Sequence, residues 1–461
     1  MLKARVHGAR VHKMRGAEHA DAPKSLKRGV IEDRLDPRRQ RDVAQFGHAN
    51  RGGEGVSSQL GQAAKRRGVG HEQRSGQAGQ PGELALWGRE SQRTTGSPRG
   101  SFMSYELFIS RASPYSMKIA AMMAYLGVEH RLTLQNAMNR YAVIRRLSGR
   151  TMVPMLRRDD WALSDSTAIA RYLMRLPEHR RRLWMPEGVD TLSFLLEDFS
   201  DEWMVRWMAL SRWLNTEDCR HVERIIGREL SAGLPGVGGL VGSAARAAVV
   251  GRMEGWGVSE TNRTTLMASA QRTLGAVERA LDDGRLYLFG DRASLADFGI
   301  FGPLGQYASD PTGARKLTSS DYTRLRAYLQ RFNAMPDGEV VEGQATDASL
   351  EALEALMAEA LGTYWEVMVA NLEALHRKKR PATTAARLLD GASFEFAPSR
   401  YLNGQLQGWL QEMEDAYNTR NELFGAEGAV LERALIGRVE ALASRPEAAD
   451  LLAAYPGLGL R

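Results

Sequence analysis

SRASPYSMKIAAMMAYLGV, residues 110–128, contains the helix start on which the interpretation of this chain depends. Ser113 is suited to cap the first backbone N–H groups of a helix, and Pro114 fits the first turn, where a missing N–H costs nothing. Apolar side chains at helical spacing then predict one buried face: Met117, Ile119, Ala120, Met123, Ala124 and Leu126. The stretch predicts a helix packed on a core. It leaves open whether Ser113 is only a cap or has a hydroxyl that carries chemistry.

The composition of the 461-residue chain restricts the kinds of site that it can contain. Its length allows two or three domains. The single cysteine, Cys219, excludes an intramolecular disulfide and any metal site built from several cysteines. A long run without acidic residues, 231–251, is rich in Gly and Ala and too weakly hydrophobic to span a membrane. We expect a loop followed by a helix in this run.

The positive charge of the chain is concentrated in residues 1–102. This segment holds 20 Lys+Arg and 10 Asp+Glu, whereas the remainder carries 42 basic against 45 acidic side chains. It is rich in Gly, Gln, Arg and His and lacks sustained periodicity, so it cannot bury enough apolar surface to offset the entropy lost on folding. We expect a disordered basic leader over 1–102, ahead of a body that is close to neutral.

Three interpretations of this leader remain open. A nucleic-acid-binding tail would use the positive charge, but the segment has one Arg-Gly-Gly and almost no aromatic residues for stacking. A targeting peptide is disfavoured by scattered acids and by the lack of an apolar region. We favour the third interpretation, a mis-assigned start with translation beginning at Met103, where the composition changes abruptly.

From Met103 the pattern predicts an α/β layer over residues 103–183. A strand, a helix, a second strand and an irregular helix are followed by two strands, MVPMLRR and WALS, with an Asp-Asp turn between them. A last helix enters through Asp165 or Ser166 and ends at Pro177. Helices packed on a mixed sheet are the expected architecture.

Residues 190–435 are predicted to be helical almost throughout, with 436–461 as a C-terminal tail. An apolar stripe on the helix expected at 192–214 indicates core: Leu196, Phe199, Trp203, Trp207, Leu210 and Leu214. The acids of this helix have no histidine nearby, so they indicate a solvated face in preference to a metal site: Glu197, Asp198, Asp201 and Glu202. Ser294 and Asp297 have the spacing of a capping box, which is a folding signal.

The order of four short motifs resembles the glutathione transferase family over about residues 103–335. They are the Ser-Pro-Tyr-Ser helix start at Ser113, VPML at 153–156, LSDSTAIARYL at 163–173 and SLADFGIF at 294–301. The last three resemble the family's cis-proline loop, its glutathione motif and its helical-domain capping motif. The family joins a thioredoxin-like domain to an all-helical domain. Residues 336–435 extend beyond the usual helical domain, a layout similar to a bacterial branch of the family.

The resemblance implies that glutathione is a co-substrate and that Ser113 is the catalytic residue. A thiolate is the nucleophile, and glutathione's thiol is mostly protonated near neutrality. A helix N-terminus and a donated hydroxyl hydrogen bond would stabilise the anion. Serine at this position implies conjugation, whereas cysteine would imply thiol–disulfide exchange. Ser116 is the second candidate and Tyr105 a weaker one, and a plain N-cap at Ser113 remains an alternative.

Further glutathione contacts are implied at the cis-proline loop and at the start of the next helix. Val153 would pair its backbone with the cysteinyl part of glutathione beside a cis Pro154, although the sequence alone equally allows a trans proline in an edge strand. Asp165 suits the γ-glutamyl amine, and Ser166 with nearby N–H groups suits the carboxylate. Simple capping remains the alternative for both. Ser116 is also expected to contact glutathione.

A second-substrate pocket is expected between the two domains, with Tyr115, Trp203 and Arg206 as candidate walls. The aromatic residues suggest a small apolar electrophile, although core packing explains them equally well. We expect a cytoplasmic detoxification enzyme that needs no metal and binds neither a membrane nor nucleic acid, and the family implies a homodimer. The rival hypothesis is a glutathione-binding or protein-interaction module of the same fold with little turnover, because function lies in the site and not in the scaffold.

Overall fold

A computed structural model of the chain describes residues 105–179, 183, 190–318, 320–334, 350–420, 423 and 428–458. The basic leader expected over 1–102 and the translation start expected at Met103 lie outside the described residues.

The N-terminal part is built on a four-stranded mixed sheet with the order β2-β1-β3-β4. The strands are β1 (Tyr105–Ile109), β2 (His130–Leu134), β3 (Met155–Arg158) and β4 (Trp161–Ser164). In β1, Leu107 lies opposite Leu132 in the parallel pair with β2 and opposite Leu156 in the antiparallel pair with β3. A parallel pair needs a crossover connection, which the helix after β1 supplies. The expected α/β layer on a mixed sheet is confirmed.

Strand β1 is buried on both faces. Leu107 and Ile109 belong to the main core together with the apolar residues of the following helix. Phe108 points the other way and packs with Ile144 and Met155 in a second, smaller cluster. Alternation of side chains along a strand explains this division. The carboxyl end of β1 therefore leads from a well-fixed strand directly into the loop before Ser113.

The helices follow one another along the rest of the described chain. In chain order they are α1 (Pro114–Tyr125), α2 (Ala137–Asn139), α3 (Arg145–Ser148), α4 (Ser166–Arg175), α5 (Asp190–Phe199), α6 (Val205–Leu214), α7 (Thr216–Leu230), α8 (Gly238–Met253), α9 (Arg263–Ala280), α10 (Leu295–Ser309), α11 (Pro311–Leu317), α12 (Thr323–Ala334), α13 (Glu354–Gly362), α14 (Tyr364–His376), α15 (Arg400–Arg420), α16 (Ala429–Ala443) and α17 (Ala449–Leu452). Two wider π turns, Arg140–Ile144 and Ser200–Met204, interrupt helical runs. The first of them makes the helix before β3 irregular, as predicted.

The centre of the helical part is α10, which is buried from Leu295 to Tyr307 and contacts both α1 and α5. The apolar stripe predicted for α5 and α6 is core, since Phe199, Trp203 and Trp207 are fully buried. Its last member, Leu214, is only partly buried. Packing of α10 against α1 ties the helical part to the sheet domain. The architecture is therefore a small α/β domain joined to a mostly helical region.

Two expectations for the C-terminal region need correction. The region is not purely helical, because β5 (Thr384–Arg387) and β6 (Ser393–Phe396) form an antiparallel hairpin. Phe394 and Phe396 alternate inward from this hairpin and are buried, so the strands close part of the helical core. The boundary expected between residues 435 and 436 falls inside α16, whose buried Val439 and Leu442 continue the core beyond it.

The run 231–251, which lacks acidic residues, forms a loop followed by helix α8, as predicted. Helices α7 and α8 pack closely where two glycines meet, because a Cβ on Gly227 would lie 2.1 Å from the carbonyl oxygen of Gly238. Among the residues that the structure describes, no helix combines the length and the apolar character needed to cross a bilayer.

Candidate functional site

Ser113 lies at the N-cap of α1 in extended backbone conformation, with φ −100° and ψ 120°. Its side-chain oxygen accepts the N–H of Ser116 at 3.2 Å, so the predicted capping is confirmed. A serine hydroxyl has one donor hydrogen and two acceptor positions. Within the described residues the Ser113 hydroxyl donates to no protein group, and the residue is only half-buried. The donor hydrogen is therefore available to a ligand at the helix start.

Ser116, the second candidate, has a different position. It is completely buried, and its hydroxyl oxygen accepts the backbone N–H of Ser110 at 3.2 Å. The side chain therefore fixes the loop before α1 and has no surface to offer a ligand. The expectation that Ser116 contacts glutathione is corrected, because its burial leaves it a structural role. Tyr105 is also buried, and its hydroxyl is 2.7 Å from that of Tyr172.

Three side chains of the helical part hold the loop that leads into Ser113. Glu229 of α7 accepts the hydroxyl of Ser110 at 2.6 Å and the N–H of Arg111 at 2.7 Å. Arg212 of α6 donates to the carbonyl of Ala112 at 2.9 Å. Gln306 of α10 donates in turn to the carbonyl of Arg111 at 2.8 Å. The helical part therefore sets the position of the Ser113 hydroxyl.

Sequence reasoning missed these three residues. Arg212 forms a buried ion pair with Asp310, at 2.7 Å between Nε and Oδ2. A buried charge is rare unless it is paired. Arg212 could have been identified from the sequence because it lies on the same helix as the apolar core stripe. Nothing comparable in the sequence marks Glu229 or Gln306.

Asp165 caps α4, and its backbone has φ 86° and ψ 122°. A carboxylate oxygen accepts the N–H groups of Thr167 and Ala168 at 3.1 and 3.2 Å. Positive φ is uncommon for a residue other than glycine, and such positions cluster at functional sites. The side chain is exposed. The helix is therefore entered through Asp165, one of the two residues predicted for that place.

Ser166 differs from the expectation in the direction of its side chain. The residue is buried, and its hydroxyl donates to Asp201 Oδ2 over 3.4 Å. This contact turns the hydroxyl toward the helical part and away from the exposed face of Asp165. The expected contact between the Ser166 hydroxyl and a ligand carboxylate is therefore corrected.

The loop before β3 has the geometry that the resemblance implies. The Val153–Pro154 peptide bond is cis. Pro154 is buried and Val153 half-buried. In the described part of the chain, no hydrogen bond engages the backbone of Val153. An extended ligand could use these free groups for strand-like pairing.

The three candidate walls of a second-substrate pocket have different surroundings. Trp203 is fully buried, and its indole N–H donates to Ser269 Oγ at 2.8 Å, so it is core and not a pocket wall. Arg206 is 6% exposed and donates to the carbonyls of Glu202 and Trp256. Only Tyr115 stays half-exposed near the start of α1. The expectation is therefore corrected for Trp203, because its ring is enclosed by protein.

Tyr115 reaches the π turn between α5 and α6. Its hydroxyl donates to the backbone carbonyl of Asp201 at 3.0 Å. Burial raises its pKa well above the ordinary value, and the Glu202 and Asp201 carboxylates raise it further. Tyr115 therefore remains protonated near neutral pH, and its one hydroxyl hydrogen is donated to the Asp201 carbonyl.

The acids of α5 and the π turn do not form a solvated face. Glu197 is fully buried, and Asp198 and Asp201 are 7% and 6% exposed. Lys118 of α1 pairs with Glu197 and with Asp201, and Trp409 of α15 donates to Asp198 at 2.6 Å. The prediction of a solvated face was wrong, because partners on distant helices compensate these charges. Sequence spacing along a single helix could not reveal those partners.

Burial changes the protonation of this acidic stretch. It raises the pKa of Asp201 to about 7, although the ammonium of Lys118 opposes the change. It raises the pKa of Glu202 to about 7 as well, against the hydrogen bond that Tyr401 donates. The pKa of Asp198 is also raised by burial, and the neighbouring Glu202 and Glu197 add to this. Within the described residues, no group of three or more His, Cys, Asp or Glu side chains is arranged to hold a metal ion.

Two family models match the chain. The N-terminal domain of glutathione S-transferase matches residues 107–181, and its C-terminal domain matches residues 244–331. A comparison with curated proteins finds no match.

Solved structures with a similar fold include three enzymes that the chain covers almost completely. The first is the glutathione transferase GSTFuA3 of Phanerochaete chrysosporium, at 16% identity over 51% of this chain and 98% of that one, with a TM-score of 0.39. A glutathione S-transferase of Ceriporiopsis subvermispora in complex with glutathione has 17% identity, coverages of 51% and 99%, and a TM-score of 0.37. The beta-etherase LigF of Sphingobium sp. strain SYK-6 has 19% identity, coverages of 51% and 97%, and a TM-score of 0.37. At these scores the likeness says nothing about activity.

Proposed function

We propose that this chain, whose residues 107–181 and 244–331 match the N- and C-terminal domain models of glutathione S-transferase, binds glutathione and activates its thiol for attack on an electrophile. In this proposal the sulfur of glutathione lies at the start of α1. Ser113 donates its free hydroxyl hydrogen to the thiolate, and the partial positive charge of the helix N-terminus adds to the stabilisation.

The observation that carries the proposal is the meeting of two helix starts at Asp201. The hydroxyl of Tyr115, near the start of α1, donates to the Asp201 carbonyl, and the hydroxyl of Ser166, at the start of α4, donates to its carboxylate. The capped ends that carry Ser113 and Asp165 therefore lie on the same side of the molecule. One end provides a free hydroxyl and the other an exposed carboxylate.

Glutathione carries groups that match the two helix starts. Its γ-glutamyl amine is a cation that the Asp165 carboxylate can hold, and the backbone N–H of Ser166 at the start of α4 suits its carboxylate. Its cysteinyl backbone can pair with the free backbone groups of Val153. The binding residues that we propose are thus Asp165, Val153 and the backbone of Ser166, beside the cis Pro154.

The second substrate is an electrophile that approaches from the side of Tyr115. Because Trp203 is enclosed in the core, its ring supplies no aromatic wall that would favour an apolar compound. Tyr115 instead offers its hydroxyl oxygen as an acceptor, since its hydrogen is donated to the Asp201 carbonyl, and the hydroxyl of Tyr401 donates to Glu202. In this proposal the chain acts as a cytoplasmic transferase that uses glutathione and no metal.

Isothermal titration calorimetry of the full chain with glutathione tests the proposal, together with the ultraviolet absorbance of the bound thiolate. We expect saturable binding and a thiolate absorbance at a pH below the ordinary pKa of the thiol, about 8.5. S-methylglutathione is the matched control, since it should bind and give no thiolate signal. Binding without a thiolate signal would instead identify a binding module, and no binding would overturn the proposal.

A further inference from the structure

Lys118 is a fully buried cation on the helix that begins at Ser113. Its Nζ lies 2.7 Å from Asp201 Oδ2 and also contacts Glu197 Oε1. The exposed fractions of the three side chains are 0% for Lys118, 1% for Glu197 and 8% for Asp201. In the part of the chain that the structure describes, neither acid forms an ion pair with a second cation. Lys118 therefore compensates two buried carboxylates at once.

The same two carboxylates receive hydrogen bonds from the start of α4. Thr167 Oγ1 donates to Glu197 Oε1 at 2.7 Å, and Ser166 Oγ donates to Asp201 Oδ2 at 3.4 Å. These are the first two residues of the helix that Asp165 caps. The cluster of Lys118, Glu197 and Asp201 therefore connects the start of α4 to the first turns of α1.

Close backbone packing against α10 limits the movement of this cluster. A Cβ on Gly302 would lie 2.8 Å from the carbonyl oxygen of Pro114, the first residue of α1. A Cβ on Gly299 would lie 2.7 Å from Ser200 Oγ and 3.0 Å from the Cα of Glu197. Because α10 touches both sides, α1 and the acid-bearing helix are held at a fixed separation.

The charges of the cluster depend on Lys118. Burial lowers the pKa of Lys118, but Asp201 and Glu197 outweigh it, so its pKa lies above the ordinary value and the ammonium stays charged. Without the ammonium, two carboxylates would remain buried side by side, which strongly disfavours their ionised forms. The acids would then separate or take up protons, and the hydroxyls of Ser166 and Thr167 would lose their fixed acceptors.

We propose that Lys118 is a positioning residue for glutathione. Through Glu197 and Asp201 it fixes the distance between the start of α1, where Ser113 meets the sulfur, and the start of α4, where Asp165 meets the γ-glutamyl amine. This inference rests on the proposed function. Lys118 touches neither ligand nor reacting atoms and acts through the two acids.

The double variant Lys118→Met/Glu197→Gln tests the inference in the full chain. It removes one charge of each sign, keeps a hydrogen-bond acceptor for Thr167, and leaves Asp201 free to take up a proton. The matched control is Arg272→Met/Glu359→Gln, which removes another ion pair with a buried acid, 2.6 Å between Nε and Oε2, between α9 and α13, where Arg272 also pairs with Asp390. Thermal unfolding is measured for every variant.

Calorimetry compares two ligands, glutathione and cysteinylglycine, which has the thiol but lacks the γ-glutamyl group. We expect the preference for glutathione to fall at least about tenfold in the double variant, since the charge-assisted contact between Asp165 and the γ-glutamyl amine depends on the position of α4. The control should keep the full preference at a similar loss of thermal stability. Lys118→Arg, which retains the charge, should restore part of the preference.

Two outcomes would overturn the inference while leaving the proposed function intact. In the first, the double variant keeps the wild-type preference for glutathione. In the second, both ligands lose affinity equally, which would show a merely structural effect. If the double variant does not fold, Glu197→Gln alone provides the same comparison. A wild-type chain that binds no glutathione would overturn the proposed function itself.

Discussion

Two helix starts of this molecule use the same local device and have different surroundings. Ser113 and Ser294 are both N-caps in extended conformation, and each hydroxyl oxygen accepts the N–H of the third residue of its helix. Ser294 is fully buried, and its hydroxyl donates to Asp297 Oδ2 at 2.6 Å. Ser113 is half-buried, is followed at the third position by Ser116, and donates to no protein group within the described residues. The difference shows that burial and the third helical residue, not the cap itself, leave a hydroxyl free for a ligand.

At the buried start of α10, the side chains of Ser294 and Asp297 are hydrogen-bonded to protein groups. Asp297 accepts the N–H groups of Leu288 and Ser294 at 2.9 and 2.8 Å, and Tyr328 donates to it at 3.2 Å. Burial raises the pKa of Asp297 to about 6, although these hydrogen bonds oppose the change. This helix start stabilises the fold, whereas the start at Ser113 is available for chemistry.

Among the variants that distinguish the roles of the two helix starts, Asp297→Ala should have the largest effect. Several buried donors would lose their acceptor, so we expect a loss of about 3–4 kcal/mol in the free energy of unfolding. Urea unfolding measures it, and glutathione affinity per folded molecule should not change. A loss below about 1 kcal/mol would show that solvent or a neighbour replaces the carboxylate.

Ser113→Ala should instead lower the conjugation rate strongly and the stability only slightly. Removing the hydrogen bond to the thiolate raises the pKa of the bound thiol, and a hydrogen bond to a charged group is worth about 1.5–3 kcal/mol, or about 10- to 100-fold in the thiolate population and in turnover near neutral pH. We expect a loss of this size in the conjugation of a nitroaryl chloride. Loss of the cap should cost about 1 kcal/mol of stability. Ser113→Thr, which keeps the hydroxyl, is the control, and full turnover by the alanine variant would leave Ser113 as a cap only.

Asp165→Asn should weaken glutathione binding by about tenfold, because a charge-assisted contact with the ligand amine becomes a neutral one. Asparagine tolerates positive φ and keeps an oxygen for the cap, so stability should change little. Asp159→Asn is a matched control, since Asp159 is an exposed aspartate with φ 53° in the β3–β4 turn. Calorimetry that gives equal affinities for the two variants would contradict the role of Asp165.

Glu202→Gln should have the smallest effect, a change in the free energy of unfolding that depends on pH. The folded pKa of Glu202 is about 7, above the ordinary 4.5, so the folded chain binds more protons than the unfolded chain between these values. Stability attributable to Glu202 is therefore present at low pH and is lost as the pH rises through about 7. The variant should equal wild type near pH 5 and exceed it by about 1–2 kcal/mol near pH 8.

Urea unfolding at the two pH values measures this difference. Glu217→Gln is the control, because Glu217 is an exposed acid whose pKa is lowered by its hydrogen bond from Arg315. Its titration lies below the tested range, so the control should leave the pH dependence unchanged. An equal pH dependence in Glu202→Gln and wild type would show that Glu202 is not the titrating group.

The sequence by itself determined the local structure of the site. Period-two and helical patterns predicted the strands and helices of the α/β domain, since each depends on neighbouring residues. The caps at Ser113, Asp165 and Ser294 were predicted for the same reason, because a cap involves residues two or three positions apart. The motif order indicated a resemblance to the family whose N- and C-terminal domain models match residues 107–181 and 244–331.

Only the tertiary structure decided which of these groups face a ligand and which face the protein. Glu197 and Asp201 looked like a solvated face because their partner, Lys118, lies 79 and 83 residues away in sequence. Ser116 and Trp203 looked like site residues because enclosure by other elements leaves no local trace. Burial and charge pairing depend on contacts between distant segments, so they could be established only once the helices had been packed together.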